Sequence, residues 1–332
     1  MELICPSYYH KFACIAERCP DSCCHEWEVQ VDPDSAARYR AMEGQLGDAL
    51  RTFLYEEDGE TYLRNQNNRC PMWRDDGLCR IQAALGHDAL CQVCQQFPRL
   101  RHDYGDFVEQ GLEVSCPEAA RLILSDPDWV LETQVIPGGE EAEYDELDME
   151  ILRSTRAEAV SILLDRSVPV NEALAALLLY GYAAQEMLDS GETGEFDRDA
   201  ARQSAMEFAG DGDLDGILEF LADLEILTDR WRSRLAQGAQ RRDWCDADRA
   251  FARYLVERYW LQAVSDLDLV SRVKLVIISC LTVRGLGGNM VDTAQLYSKE
   301  IENNTQNVEA LLDGAYTDPA LTDRNLLSLL LN

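Results

Sequence analysis

Apolar and polar positions follow different rules in the two parts of this chain. From about residue 147 onward, apolar residues recur every three or four positions, the period of a helix that buries one stripe. Leu147, Ile151, Leu152, Ala159, Ile162 and Leu163 line one such face. Ala173 to Leu188 reads as a strongly apolar helix, and Leu214–Arg234, Arg249–Val264 and Leu269–Thr282 as further helices. Glycine-bearing breaks fall at 191–194 and 210–213. Stripes of this kind bury against one another, which predicts a helical domain over 146–332.

The first third lacks that period. Glu26 to Val31 alternates polar and apolar residues, a strand signal, and Thr61–Arg64 and Phe107–Val114 read the same way. Asp32-Pro33-Asp34-Ser35 has the form of a helix start and predicts a helix from about Ser35 to Tyr55. Pro117 opens another, reaching about Leu124. Residues 126–145 are acidic and hold Pro127, Pro137, Gly138 and Gly139, so a linker or surface crossover is expected there. The expected fold is mainly α, with an N-terminal cysteine-rich module of little β structure over 1–125 followed by the helical domain.

Charge narrows the partners. The 332 residues include 61 acidic and 30 basic side chains, a net charge of −31. Residues 1–125 hold 21 acidic and 12 basic, a balance of −9, and the remainder 40 and 18, a balance of −22. Such a surface argues against nucleic acid, which needs a basic footprint. It suits a cationic partner, and equally solubility alone. Lysine occurs only at Lys11, Lys274 and Lys299. The N-terminal residues lack the basic and apolar regions of a signal peptide. The longest apolar run, Ala173–Leu179, is far short of the ~20 residues of a membrane helix. The expectation is a cytoplasmic protein with no transmembrane segment.

Twelve cysteines then become the main chemical signal, because disulfides are uncommon in a reducing compartment. Ten of them lie between Cys5 and Cys116. Cys19-x3-Cys23-Cys24 places three sulfurs within six residues, and Cys91-x2-Cys94 has the spacing by which two thiolates grip one metal ion or cluster edge. Cys70, Cys79 and Cys116 each have a proline or glycine nearby, where the backbone turns. These eight are the candidate ligands. They could build two tetrahedral zinc sites, or one [4Fe–4S] cluster with thiols to spare, and spacing alone does not decide. Cys245 and Cys280 read as small buried hydrophobes, and Cys5 and Cys14 as hydrophobes as readily as ligands. Among His10, His25, His87 and His102, His25 is best placed for ligation, though an exposed or capping role is the simpler expectation. Gly285-Leu286-Gly287-Gly288 lacks the spacing of a dinucleotide loop, and neither a P-loop nor a Cys-x3-Cys-x2-Cys radical motif occurs.

Several segments recur together in order: Cys5-Pro6-x-Tyr8-Tyr9, Phe12-x-Cys14-Ile15, Cys19-x3-Cys23-Cys24-x2-Trp27-x-Val29, Gly77-Leu78-Cys79-x-Ile81-Gln82, Leu90-Cys91-x2-Cys94-x2-Phe97-Pro98-Arg99 and Ser115-Cys116-Pro117-Glu118. This string resembles the flagellin lysine-N-methylase family, densely over 1–125, with a weaker echo at Tyr254–Tyr259. It is also similar to a wider family of zinc- or iron-chelating cysteine-cluster domains. The resemblance implies a cytoplasmic enzyme that methylates surface lysines of flagellin. It implies S-adenosylmethionine as methyl donor, a cysteine-bound [4Fe–4S] cluster, and peripheral association with the membrane. The alternative it leaves is a non-catalytic zinc- or iron-binding protein that handles metal or serves as a scaffold. No donor pocket and no general base is identifiable in the sequence.

Overall fold

A computed structural model describes residues 1–27 and 29–332. Helices take up 57% of the residues and strands 11%, so the chain is mainly α. The strands nonetheless set the plan of the first third.

Strand β1, Glu2–Pro6, begins the chain. After it come β2 (Val29–Gln30), helices α1 (Pro33–Ala41) and α2 (Gly44–Phe53), and the hairpin β3 (Leu54–Glu57) and β4 (Glu60–Leu63). Short helices α3 (Arg80–Leu85) and α4 (Gln92–Gln96) follow, then β5 (Arg99–Asp103), β6 (Phe107–Leu112), α5 (Pro117–Leu124) and β7 (Leu131–Val135). The rest is helical: α6 (Glu146–Leu164), α7 (Val170–Ser190), α8 (Arg198–Met206), α9 (Leu214–Ala222), α10 (Asp229–Ala236), α11 (Asp246–Tyr259), α12 (Leu269–Leu286), α13 (Met290–Tyr297), α14 (Thr305–Thr317) and α15 (Asp323–Leu330). A π-helical turn, Ser298–Glu302, extends α13.

Two sheets form. One has the order β5-β6-β1-β7, with β1 parallel to β6 and antiparallel to β7. The other is antiparallel, β2-β4-β3. The hydrophobic cores follow this division. Val29, Val31, Tyr39, Leu50, Leu63, Met72, Ile81 and Leu90 pack with Cys70 and Cys91 into a small core. Tyr8, Phe107, Leu112, Val114, Ala119 and Ile123 join one large core with the helices from α6 to α15. The four-stranded sheet and α5 are thus packed on the helical part. The cysteine-bearing excursion between β1 and β5 has a core of its own.

Several expectations change in detail. The helix expected over 35–55 is two helices, because the chain turns at Gly44, whose φ of +82° suits glycine. The expected helix 214–234 is interrupted between Ala222 and Asp229. The expected strand 26–31 is ordered as Val29–Gln30, and Glu28 lies outside the described residues. The acidic stretch 126–145 carries β7, which pairs along all of β1. All five β7 residues are exposed, so no apolar alternation marked them. Within the bundle, α7 meets α12 closely: a Cβ at Gly181 would lie 2.9 Å from the Val273 side chain. Among the described residues no helix is long and apolar enough to cross a membrane.

Candidate metal centre and adjoining cleft

The segment Cys19–Cys24 is a loop held by its own side chains. The Ser22 amide donates to Asp21 Oδ1 (2.8 Å), and the Cys24 amide to Ser22 Oγ (3.1 Å). Trp27 Nε1 donates to the Cys23 carbonyl (2.8 Å). The Cys70 amide donates to the Cys24 carbonyl (2.8 Å), which sets these two turns side by side. Arg80 N donates to Met72 O (2.7 Å), and Trp73 bridges to Cys79, so Cys79 returns to the Cys70 turn. Cys79, Cys91 and Cys116 occupy the N-caps of α3, α4 and α5. There the nearby backbone amides, of Ile81 and Gln82 at Cys79, Cys94 at Cys91, and Glu118 and Ala119 at Cys116, bias the thiol pKa downward without making a cap hydrogen bond. Amide donors of this kind favour the thiolate.

Six of the eight candidate thiols are neighbours of one another, although among the described residues no three of their sulfurs lie within 4.8 Å of one another. Cys24 hydrogen-bonds with the thiols of Cys23 and Cys70, and Cys91 with Cys94. Cys79 interacts electrostatically with Cys24, Cys70, Cys23 and Cys91, and Cys94 with Cys23 and Cys24. The bond with Cys24 raises the Cys23 thiol, and burial adds to it. For Cys24 the Cys23 bond works downward, but the Cys70 bond and burial push it up to about 12. Cys70 and Cys91 move the other way, because a neighbouring thiol donates to each. A metal would replace the shared protons. An all-sulfur donor set fits zinc or an iron–sulfur cluster, and not a hard cation.

Cys19 and Cys116 stand apart from the six. Cys116, pushed up to about 12 by burial, is coupled to Cys19 and Cys14, and Cys19 links back to Cys23. Cys14, exposed, was not among the eight. Cys280 is buried in α12, whereas Cys245 is exposed at the N-cap of α11 and is not a core residue. His25 stacks edge-on against Trp73 (4.1 Å). His87 is exposed, and burial pushes the pKa of His102 down.

The helical part grips the cysteine loop at one place. Lys299, on the π-helical turn, is 2% exposed at its side chain and reaches Asp21 (3.1 Å) and Glu26 (2.8 Å). Its ammonium also lies 5.1 Å from the Trp27 ring centre. Gln295 donates to Asp21 Oδ2 (2.9 Å) and to the Ser115 carbonyl (2.8 Å). The same turn sends Glu300 to the Leu227 and Thr228 amides, and Glu302 to Tyr254 and Arg258. The extra residue of a π turn changes which faces successive side chains take, and such turns are frequent at functional sites. No sequence signal marked it.

Beside the thiols is an open cleft of about 350 Å³. Cys23 and Cys94 form one border, Trp27 and Phe97 an aromatic wall, and Arg99, Glu113 and Asn303 its polar positions. Burial pushes the Glu113 carboxyl upward, with Arg258 (3.7 Å) opposing. Ser115 Oγ donates to it (3.1 Å).

The chain is similar to proteins of known assignment. A Lysine-N-methylase of Salmonella choleraesuis is 33% identical over 133 residues, covering 37% of this chain and 32% of that protein. A Lysine-N-methylase of Salmonella typhimurium is 32% identical over the same shares. The Flagellar biosynthetic protein FliU of Salmonella muenchen is 32% identical, with 77% of its length covered. The match thus spans about a third of the Lysine-N-methylases. No family model and no solved structure matches the chain. With three quarters of the FliU protein aligned, the chain belongs to the flagellin lysine-N-methylase family.

Proposed function

We propose that this protein is a cytoplasmic methyltransferase that N-methylates surface lysines of flagellin, with S-adenosylmethionine as donor and a cysteine-bound [4Fe–4S] cluster. The observation that carries the reading is that Cys23, Cys24, Cys70, Cys79, Cys91 and Cys94 neighbour one another, with Cys23 and Cys94 on the border of an aromatic-walled cleft.

Up to four of these six thiols would hold the cluster, one per iron, with the others to spare. Bound S-adenosylmethionine supplies an electrophilic methyl group on a sulfonium. The faces of Trp27 and Phe97 suit a purine and a sulfonium cation, and Arg99 suits a carboxylate. The incoming lysine must lose its ammonium proton before it can attack. Glu113 is the carboxylate placed to take it, since burial raises its proton affinity toward that task. The net charge of −31 draws a lysine-bearing partner.

Incubation of anaerobically purified protein with methyl-labelled S-adenosylmethionine and unmodified flagellin tests this. Label in flagellin lysines, with iron and sulfide near four each per chain, is expected. Unlabelled flagellin with a loaded cluster would overturn the catalytic reading, and colourless protein with stoichiometric zinc the cluster. The second reading is a non-catalytic zinc- or iron-binding protein. It is favoured by the match covering 37% of this chain.

A further inference from the structure

A second group of metal-competent side chains lies on the four-stranded sheet, away from the thiols of the cleft. Cys5 and Glu132 face each other in the register of β1 and β7. His10 comes from the turn just after β1. Cys5 Sγ is 3.4 Å from His10 Nε2, and His10 Nε2 is 3.9 Å from Glu132 Oε2. All three ligand atoms lie within 4.8 Å of one another, the one such group of three among the described residues. The electrostatic neighbours of Cys5 are Glu132, Tyr8 and Tyr9, with no other cysteine among them.

We propose that Cys5, His10 and Glu132 form a zinc site distinct from the thiol centre. Zinc takes sulfur at about 2.3 Å, imidazole nitrogen at about 2.0–2.1 Å and carboxylate oxygen at about 2.0–2.2 Å, in a tetrahedron. The resulting edges are about 3.4–3.6 Å between ligand atoms. The Cys5–His10 and His10–Glu132 separations, 3.4 and 3.9 Å, need only a few tenths of an ångström of side-chain motion, and the Cys5–Glu132 pair, within 4.8 Å, at most about 1 Å. One thiolate, one imidazole and one carboxylate select zinc over magnesium or calcium, which prefer all-oxygen shells. Three protein ligands leave the fourth position to water.

The frame is already rigid. Ser7 N donates to Val130 O (2.8 Å), which continues the β1–β7 ladder into the turn that carries His10. Tyr8 packs edge-on against Trp129 with ring centres 5.1 Å apart. His10 and Glu132 are 64% and 54% exposed, so the ion has a route in. The Cys5 proton leaves to solvent as the sulfur binds, so affinity rises with pH. The ion would clip the exposed strand β7 to β1 beside it.

The proposal stands apart from methylation, and so does its test. Full-length protein with its thiol centre loaded is titrated with zinc against a chromophoric chelator under anaerobic conditions. The wild type takes up one zinc per chain beyond its resident metal. His10→Ala and Glu132→Gln, both surface changes remote from the other cysteines, each weaken that uptake by more than about 100-fold, above the usual cost of losing an outer-shell partner. Their resident metal content stays at the wild-type level. Zinc also slows amide exchange over Leu131–Val135 in the wild type and not in the variants. No additional zinc in the wild type, or wild-type uptake by both variants, would overturn the proposal.

Discussion

Lys299 Nζ sits 3.1 Å from Asp21 Oδ2, a buried ammonium of the helical part inside the loop that carries Cys19, Cys23 and Cys24. Nearly 280 residues of chain separate the two. Glu26 shares the same cation, so one lysine orders both ends of the loop.

Removing that cation leaves two part-buried carboxylates facing each other. Lys299→Met is expected to lower stability by roughly 3–5 kcal/mol, the usual cost of breaking a buried ion pair from one side. Metal retention should fall with it. Urea unfolding and elemental analysis of the same preparation check both. Wild-type values in the two assays would show that the pair does not hold the loop.

Metal content should divide the cysteines. Cys24→Ser and Cys91→Ser remove sulfurs from the six-thiol group and should deplete its metal, whereas Cys280→Ser and Cys245→Ser should leave it unchanged. Cys14→Ser asks whether the smaller group with Cys19 and Cys116 holds metal of its own. Equal loss across all these variants would mean that the measured metal reports folding and not ligation.

The rate of methyl transfer should depend on the ionisation of Glu113. Burial raises its pKa above the ordinary 4.5, and a base acts when ionised. The rate therefore rises with pH through that raised value and is lost as pH falls below it. Glu113→Gln should cost 10²- to 10⁴-fold in kcat, the range for a general base, and abolish the acidic limb. A pH–rate profile with the limb intact in Glu113→Gln would assign the base elsewhere.

Gly181→Ala tests the α7–α12 contact without touching the metal centre. Its Cβ would meet Val273 at 2.9 Å, a clash that costs about 1–3 kcal/mol in a packed core. Thermal unfolding should show a lower midpoint with unaltered metal content.

The sequence displayed what depends on local spacing. Pro117 marked the start of α5, the apolar run from Ala173 marked α7, and clustered cysteines marked the thiol loops. It concealed what depends on distant partners. β1 is short and ends in Cys5-Pro6, and β7 is exposed throughout, so neither shows an apolar alternation. Cys116 neighbours Cys19 and Cys14 and not the other six, a juxtaposition of segments distant in sequence. The role of Lys299 arises from a π turn, for which no residue pattern exists. The helices beyond Met290 carried legible caps at Asn289 and Asn304, whose side chains accept amides of the first turn.

The placement of β1 has a consequence for how the protein is made. Glu2 pairs with Phe107 on one side and with Val135 on the other. A ribosome adding about 5–20 residues per second needs roughly 7–27 s to supply the second partner. The other partner strand of β1, from Phe107, is made 28 residues earlier than Val135, and nine thiols, up to Cys94, precede both. Metal capture by the small core can therefore precede closure of the sheet. The nascent chain is most open to oxidation before its N-terminus is locked in place.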